Sequence, residues 1–256
     1  MPPSPPSRSP HVPVLESVDD DAVRALLRDL GPRLRRGNED AVAREASGRR
    51  LPTGLQRLDQ LIAGGFPAGR LSEIHGPLSS GRTSVALGLL AQATREGEVA
   101  AVVDPGRAFD PASAQAAGAN LERLLWVQPR DVRETSRCCQ LILEARGFAL
   151  VLCDLAAPET LPGKKAQGGA LPTSVWQKLA RAAPGSGTAL VVLSDRRTTG
   201  SHGDLVIEMQ PARAHFSGTP ALLEGLEVEA VVVRHRTGPD QRAASVRLDA
   251  RTRGAA

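Results

Sequence analysis

Eight residues, GPLSSGRT at 76–83, constrain the fold of this chain more than any other stretch. They fit the phosphate-cradling pattern G-x-x-x-x-G-K-[ST] except at Arg82, where the pattern has lysine. Residues 71–75 before them read as a short strand. Residues 83–95 after them have the spacing of an amphipathic helix. Strand, glycine-rich loop and helix in direct succession are the context such a loop requires. In it, successive backbone N–H groups and a helix N-terminus converge on an anion. The loop residues are Gly76, Ser79, Ser80, Gly81, Arg82 and Thr83. The two glycines permit the tight path, and the Thr83 hydroxyl is placed to reach a magnesium ion. Arginine keeps the positive charge of lysine, but its guanidinium is planar, longer and bulkier, so the exchange is not conservative in a closed cradle.

Beyond the loop, strands and helices alternate. Strands are expected at 99–104, 124–129, 149–156 and 188–195, and helices at 111–118, 132–145 and 173–183. Apolar strands separated by helices imply a mostly parallel central sheet covered by helices on both faces. The last stretches, DLVIEMQ, LEVEAVVVRHR and ASVRLDA, alternate more and are joined by turns, so antiparallel strands are expected at the C-terminal edge. The fold class is therefore α/β. Asp154 ends the strand LVLCD, where a P-loop ATPase keeps the aspartate that holds magnesium. An aspartate capping a turn at a strand end is the plainer reading of that residue alone.

The flanks read differently. Residues 1–15, rich in proline and without apolar period, are expected to form a disordered arm. In 16–50, a helix over 19–30 places Val23, Leu26, Leu27 and Leu30 on one face and leads into a polar linker. The core is expected over 51–250, followed by a basic tail at 251–256. No stretch has the length of a membrane span and the N-terminus lacks a signal-peptide core, so a soluble cytoplasmic protein is expected. Three cysteines without metal spacing read as buried side chains, and no metal site is expected. Only three of the 32 basic side chains are lysines, a skew that weakens Arg82 as a sign of selection when it is taken alone. The net charge of +4 equals the excess over 234–256, where six arginines face two aspartates. Such an edge suits nucleic acid or an acidic partner as well as plain solvent.

The phrases TG…LD, GG.P.GR..EI.GP.SSG.T and AFDP, at their spacing here, resemble the core ATPase domain of the RecA recombinases. The likeness is continuous over about 51–129 and weaker to about 249. It implies a site with specific losses. The position of the family's catalytic glutamate is Gly106, and that of its adenine-stacking tyrosine is Ser113. Asp195 stands for the glutamine that couples the γ-phosphate to DNA. Losing the base alone costs a factor of roughly 10² to 10⁴. Asp110, Thr83 and Asp154 are what remains. The resemblance places DNA loops at 161–172, with Lys164 and Lys165, and at 196–203, with Arg196 and Arg197. Arg234 and Arg236 are further DNA-binding candidates on the basic edge.

Short RecA-like chains with such a site resemble the ImuA group of accessory proteins. That resemblance implies no catalytic residue, weak or absent ATP binding, and an adaptor role in damage-induced translesion synthesis. The implied partners are RecA, an ImuB-like relative of the Y-family polymerases and a specialised C-family DNA polymerase, with weak DNA binding. Val23, Leu26, Leu27 and Leu30 would form the docking stripe. Two other readings stay open at this stage. One is a DNA-dependent ATPase in which an acid such as Glu73 replaces the lost base. The other is a SulA-like inhibitor of cell division.

Overall fold

The computed structural model describes residues 14–15, 21, 24–25, 48–156, 171–211, 213–238 and 242–249. In chain order the first strands are β1 (Val14–Leu15), β2 (Arg50–Leu51), β3 (Phe66–Pro67) and β4 (Leu71–His75), with helix α1 (Gln56–Leu61) between β2 and β3. Helix α2 (Arg82–Arg95) and β5 (Val99–Val103) follow, then α3 (Pro111–Ala116) and β6 (Leu124–Val127). Next come α4 (Val132–Ala145), β7 (Phe148–Asp154), α5 (Thr173–Ser186) and β8 (Ala189–Ser194). The chain closes with β9 (Leu205–Met209), β10 (Arg213–Ser217), β11 (Leu222–His235) and β12 (Arg242–Asp249).

Ten of these strands form one sheet in the order β1-β6-β5-β7-β8-β4-β9-β11-β10, with β12 on the other side of β11. From β1 to β9 every pairing is parallel; β11 is antiparallel to β9, β10 and β12. The expected α/β architecture, with its antiparallel C-terminal edge, is the one observed. One detail differs. β9 was expected to belong wholly to that edge, yet it lies parallel to β4 and is the seam between the two modes of pairing.

Two cores sandwich the sheet because side chains of a strand alternate between its faces. Ala100 and Val102 of β5, with Val191 and Leu193 of β8, enter the core shared with α1, α2 and α3. Val99, Ala101 and Val103, with Leu190 and Val192, enter the core shared with α4 and α5. Cys138, Cys139 and Cys153 are buried in the second core. Helix α5 runs past Ala183 through Pro184, one turn further than expected, and Gly187 ends it in the left-handed conformation at φ +67°.

The N-terminal flank needs a correction. Val14–Leu15, assigned from sequence to a disordered arm, pair in parallel with Trp126 and Val127 at the open edge of the sheet. An edge strand offers unpaired N–H and C=O groups, and an aliphatic pair in extended conformation can use them. Asp21, Arg24 and Ala25 are helical and exposed, within the expected N-terminal helix. Val23, Leu26, Leu27 and Leu30 lie outside the described residues, as does the basic tail at 251–256. The core itself reaches back past residue 51, since Arg50–Leu51 pair with Phe66–Pro67.

Candidate functional site

The glycine-rich loop leaves the C-terminal end of β4 and enters α2 at Gly81. Gly81 has φ +83°, and a Cβ there would lie 2.3 Å from Leu248 Cδ1. The backbone conformation therefore favours glycine, and Leu248 of β12 would have to shift to admit a side chain. A Cβ on Gly76 would lie 2.3 Å from the Met209 carbonyl oxygen, so β9 crowds the loop's other end. Ser79 is exposed with φ +59°, and Thr83 is exposed. Ser80 is fully buried, and its Oγ has no hydrogen-bond partner.

Arg82 turns inward. It is 7% exposed, and its Nη1 donates to the Gly76 carbonyl. The loop's cation thus closes on the loop's own first residue. Asp154, at the end of β7, accepts a hydrogen bond from the Ala156 N–H at 3.0 Å. Burial pushes its pKa up to about 6; the charge of Asp104 adds to this, and that of Arg82 opposes it. Residue for residue, the loop has the outline of a phosphate cradle. Its guanidinium is turned onto a carbonyl of the loop itself.

Asp104 is fully buried and accepts from the N–H groups of Ala108 and Phe109, both at 3.0 Å, and from Trp126 Nε1 at 3.3 Å. It thereby fixes the turn that holds Gly106, which brings no side chain. Phe109 packs edge-on against Trp126, ring centres 5.4 Å apart. Asp110 caps α3 through the N–H groups of Ala112 and Ser113 and the Ser113 hydroxyl. These bonds favour the carboxylate and lower its pKa. Ser113 lines a cleft of about 350 Å³ between α2, α3 and β12, with Gly88, Ala91 and Ala116 also lining it. No ring is available from Ser113 to stack on a ligand.

Glu73 is not placed to serve as a base. It is fully buried, and its Oε1 accepts from Ser194 Oγ at 3.0 Å and from the Thr198 N–H and hydroxyl at 2.6 and 2.8 Å. Its Oε2 accepts from the Thr199 N–H at 3.1 Å and from the Thr199 hydroxyl. A buried carboxylate must be satisfied, and this one spends its acceptors on the segment after β8. Nothing in the sequence signals that pairing beyond a charged residue within an apolar strand, since the partners are 121 to 126 residues away.

Among the described residues, the DNA-binding candidates fall into two separate pairs. Asp195, Arg196 and Arg197 are exposed where β8 ends, and Arg197 donates to the Gly200 carbonyl at 2.9 Å. Arg234 and Arg236 lie where β11 ends, beside the start of β9 and hence beside the start of β4. Five strand residues at about 3.3 Å each separate the two pairs by roughly 15 Å along the sheet. Arg236 is further engaged by Asp204 at 3.1 Å. Lys164 and Lys165 lie outside the described residues. No helix among the described residues is long and apolar enough to cross a membrane, and no cluster of His, Cys, Asp and Glu among them could hold a metal ion.

Comparison with known proteins agrees with this architecture. The family model of the RecA N-terminal domain matches residues 35–181, more than half of the chain. The RecA protein of Streptococcus pyogenes serotype M49 is 39% identical over 140 residues, 54% of this chain and 36% of that protein. The RecA protein of Picosynechococcus is 38% identical over 107 residues, 42% of this chain and 31% of that protein. The matched region thus spans about a third of the length of these relatives. The crystal structure of the RadB recombinase superposes with a TM-score of 0.60 and 25% identity, covering 79% of this chain and 97% of that one.

Proposed function

This chain belongs to the family of the RecA N-terminal domain, and on that premise we propose that it is a RecA-fold adaptor that does not turn over ATP. The observation that carries the reading is Arg82, buried and bonded to the Gly76 carbonyl inside the loop where the family's lysine reaches phosphate. Gly106, Ser113 and Asp195 support it, because each lacks the group its position needs for catalysis or base stacking. Glu73, the acid that could have replaced the base, is saturated by Ser194, Thr198 and Thr199. The DNA-dependent ATPase is accordingly the weaker alternative.

The likeness to the ImuA group gives the finer reading. The chain acts in damage-induced translesion synthesis, in the cytoplasm, and binds RecA, an ImuB-like protein and a specialised C-family polymerase. The helix bearing Val23, Leu26, Leu27 and Leu30 is the proposed docking element, and contact with DNA is weak and sensitive to salt. Steady-state ATP turnover with single-stranded DNA tests the first part, with no rate above background expected. Pull-down with RecA and the two polymerase proteins, using wild type and Leu26→Glu/Leu27→Glu, tests the second. Turnover at the rate of a RecA control sinks the adaptor reading. Capture of none of the three partners removes the translesion role and leaves the SulA-like division inhibitor as the next reading.

A further inference from the structure

The loops after β4 and β8 end neighbouring strands, and a continuous set of hydrogen bonds joins them. Arg82 Nη1 donates to the Gly76 carbonyl, and the Gly76 N–H donates to the Ser194 carbonyl at 3.3 Å. Ser194 Oγ donates to Glu73, which also receives both the N–H and the hydroxyl of Thr198 and of Thr199. Each threonine is held twice, so backbone and side chain are fixed together. Thr199 is fully buried, and a Cβ on Gly203 would lie 2.8 Å from its Oγ1, so the descending part of the loop is packed as well.

We infer that Arg82 and Glu73 are internal latches that hold both loops of this edge in one conformation without a ligand. The inference rests on the reading that ATP is not turned over here, and it adds what replaces ATP. In a phosphate loop, anion contacts organise the backbone N–H groups. Here a guanidinium on a carbonyl ties the loop from within, and a buried carboxylate gathers the neighbouring loop through four donors on Thr198 and Thr199. The edge becomes a fixed platform. Pro77, Leu78 and Ser79 on one loop, and Asp195, Arg196 and Arg197 on the other, are exposed on it in a preset arrangement. Arg82 and Glu73 are positioning residues; neither needs to touch a partner.

The test is amide hydrogen exchange read by mass spectrometry on the full chain, with and without millimolar magnesium ATP. Wild type is expected to protect 76–83 and 194–203 without ligand, and ATP is expected to leave both unchanged. Arg82→Ala should speed exchange over 76–83 by about tenfold or more, and Glu73→Ala should do the same over 194–203, as local openings. Thr198→Val removes one hydroxyl donor and keeps the backbone. It guards against variants that fail to fold, and should loosen 194–203 alone, with circular dichroism unchanged. Fast exchange of both loops in wild type overturns the latches, as does slowing over 76–83 when ATP is added. ATP turnover is measured separately. Turnover with protected, ATP-indifferent loops removes the functional reading, while unprotected loops without turnover remove only the latches.

Discussion

The parallel and antiparallel halves of the sheet obey different physics. In β4, β5 and β8 every residue is buried, whereas β10 is exposed at every position except the half-buried His215. Helices cover the parallel half on both faces, so its strands are mostly apolar, and of the polar side chains they do bury, Glu73 and Ser194 bond to each other. The β10–β11 hairpin leaves Phe216, Leu222 and Leu223 among the exposed large hydrophobic side chains. Polar cross-strand contacts hold it, His215 with Glu227 at 3.2 Å and Ser217 with Glu224. The parallel half carries the loops, and the antiparallel half adds Val228, Ala230, Val232 and Val246 to the first core and clamps the loop through Leu248 on Gly81.

The largest expected effect is in the parallel half. Trp176 is 2% exposed between α5 and the second core, so Trp176→Ala should cost about 3–5 kcal/mol in chemical denaturation. A loss below about 1 kcal/mol would mean that this core does not bear the fold. Next comes the seam. Gly81→Ala forces a side chain into positive φ and into Leu248, which should cost about 2–4 kcal/mol. Adding Leu248→Ala should return part of that loss by relieving the contact. Strict additivity of the two changes would show that the clamp is not a contact between them.

A pH effect should follow in size. Asp154 has a pKa near 6 in the fold, against an ordinary value of 3.8. Between those values the folded chain binds more protons than the unfolded one. Its contribution to stability therefore falls as pH rises from about 4 to about 6, and is level above. Asp154→Asn removes this slope, so the variant should gain on wild type across that interval by at most about 3 kcal/mol. That figure is an upper bound because water still reaches part of the side chain. A gap between the two proteins that stays constant from pH 4 to 7 would rule out the titration. The smallest effect belongs to the hairpin. Phe216→Ser, at a position 62% exposed, should change stability by no more than about 0.5 kcal/mol. A loss of several times that would mean the hairpin is part of the core after all.

Most of the parallel half was legible in the sequence because its signals are local. The apolar run VAAVV, the spacing across VRETSRCCQLILEA and the glycine pattern of 76–83 each state their structure within a few residues. The bounds Val132–Ala145 fall where that periodicity puts them. The two strand residues Val14–Leu15 were not legible. Their partner is an open edge more than a hundred residues away, and a proline-rich context hides them.

The sequence by itself determined the α/β order, the glycine-rich loop and the arginine at position 82 within it. Each of these is a matter of residue type and short-range spacing. Only the tertiary structure decided what the charged groups do. It turned Arg82 onto the Gly76 carbonyl and spent Glu73 on Thr198 and Thr199. It also set Arg196 and Arg197 at the opposite end of β4 from Arg234 and Arg236. The reason is that a buried charge takes whichever donors or acceptors the packed chain brings within about 3 Å, and sequence separation places no limit on which those are.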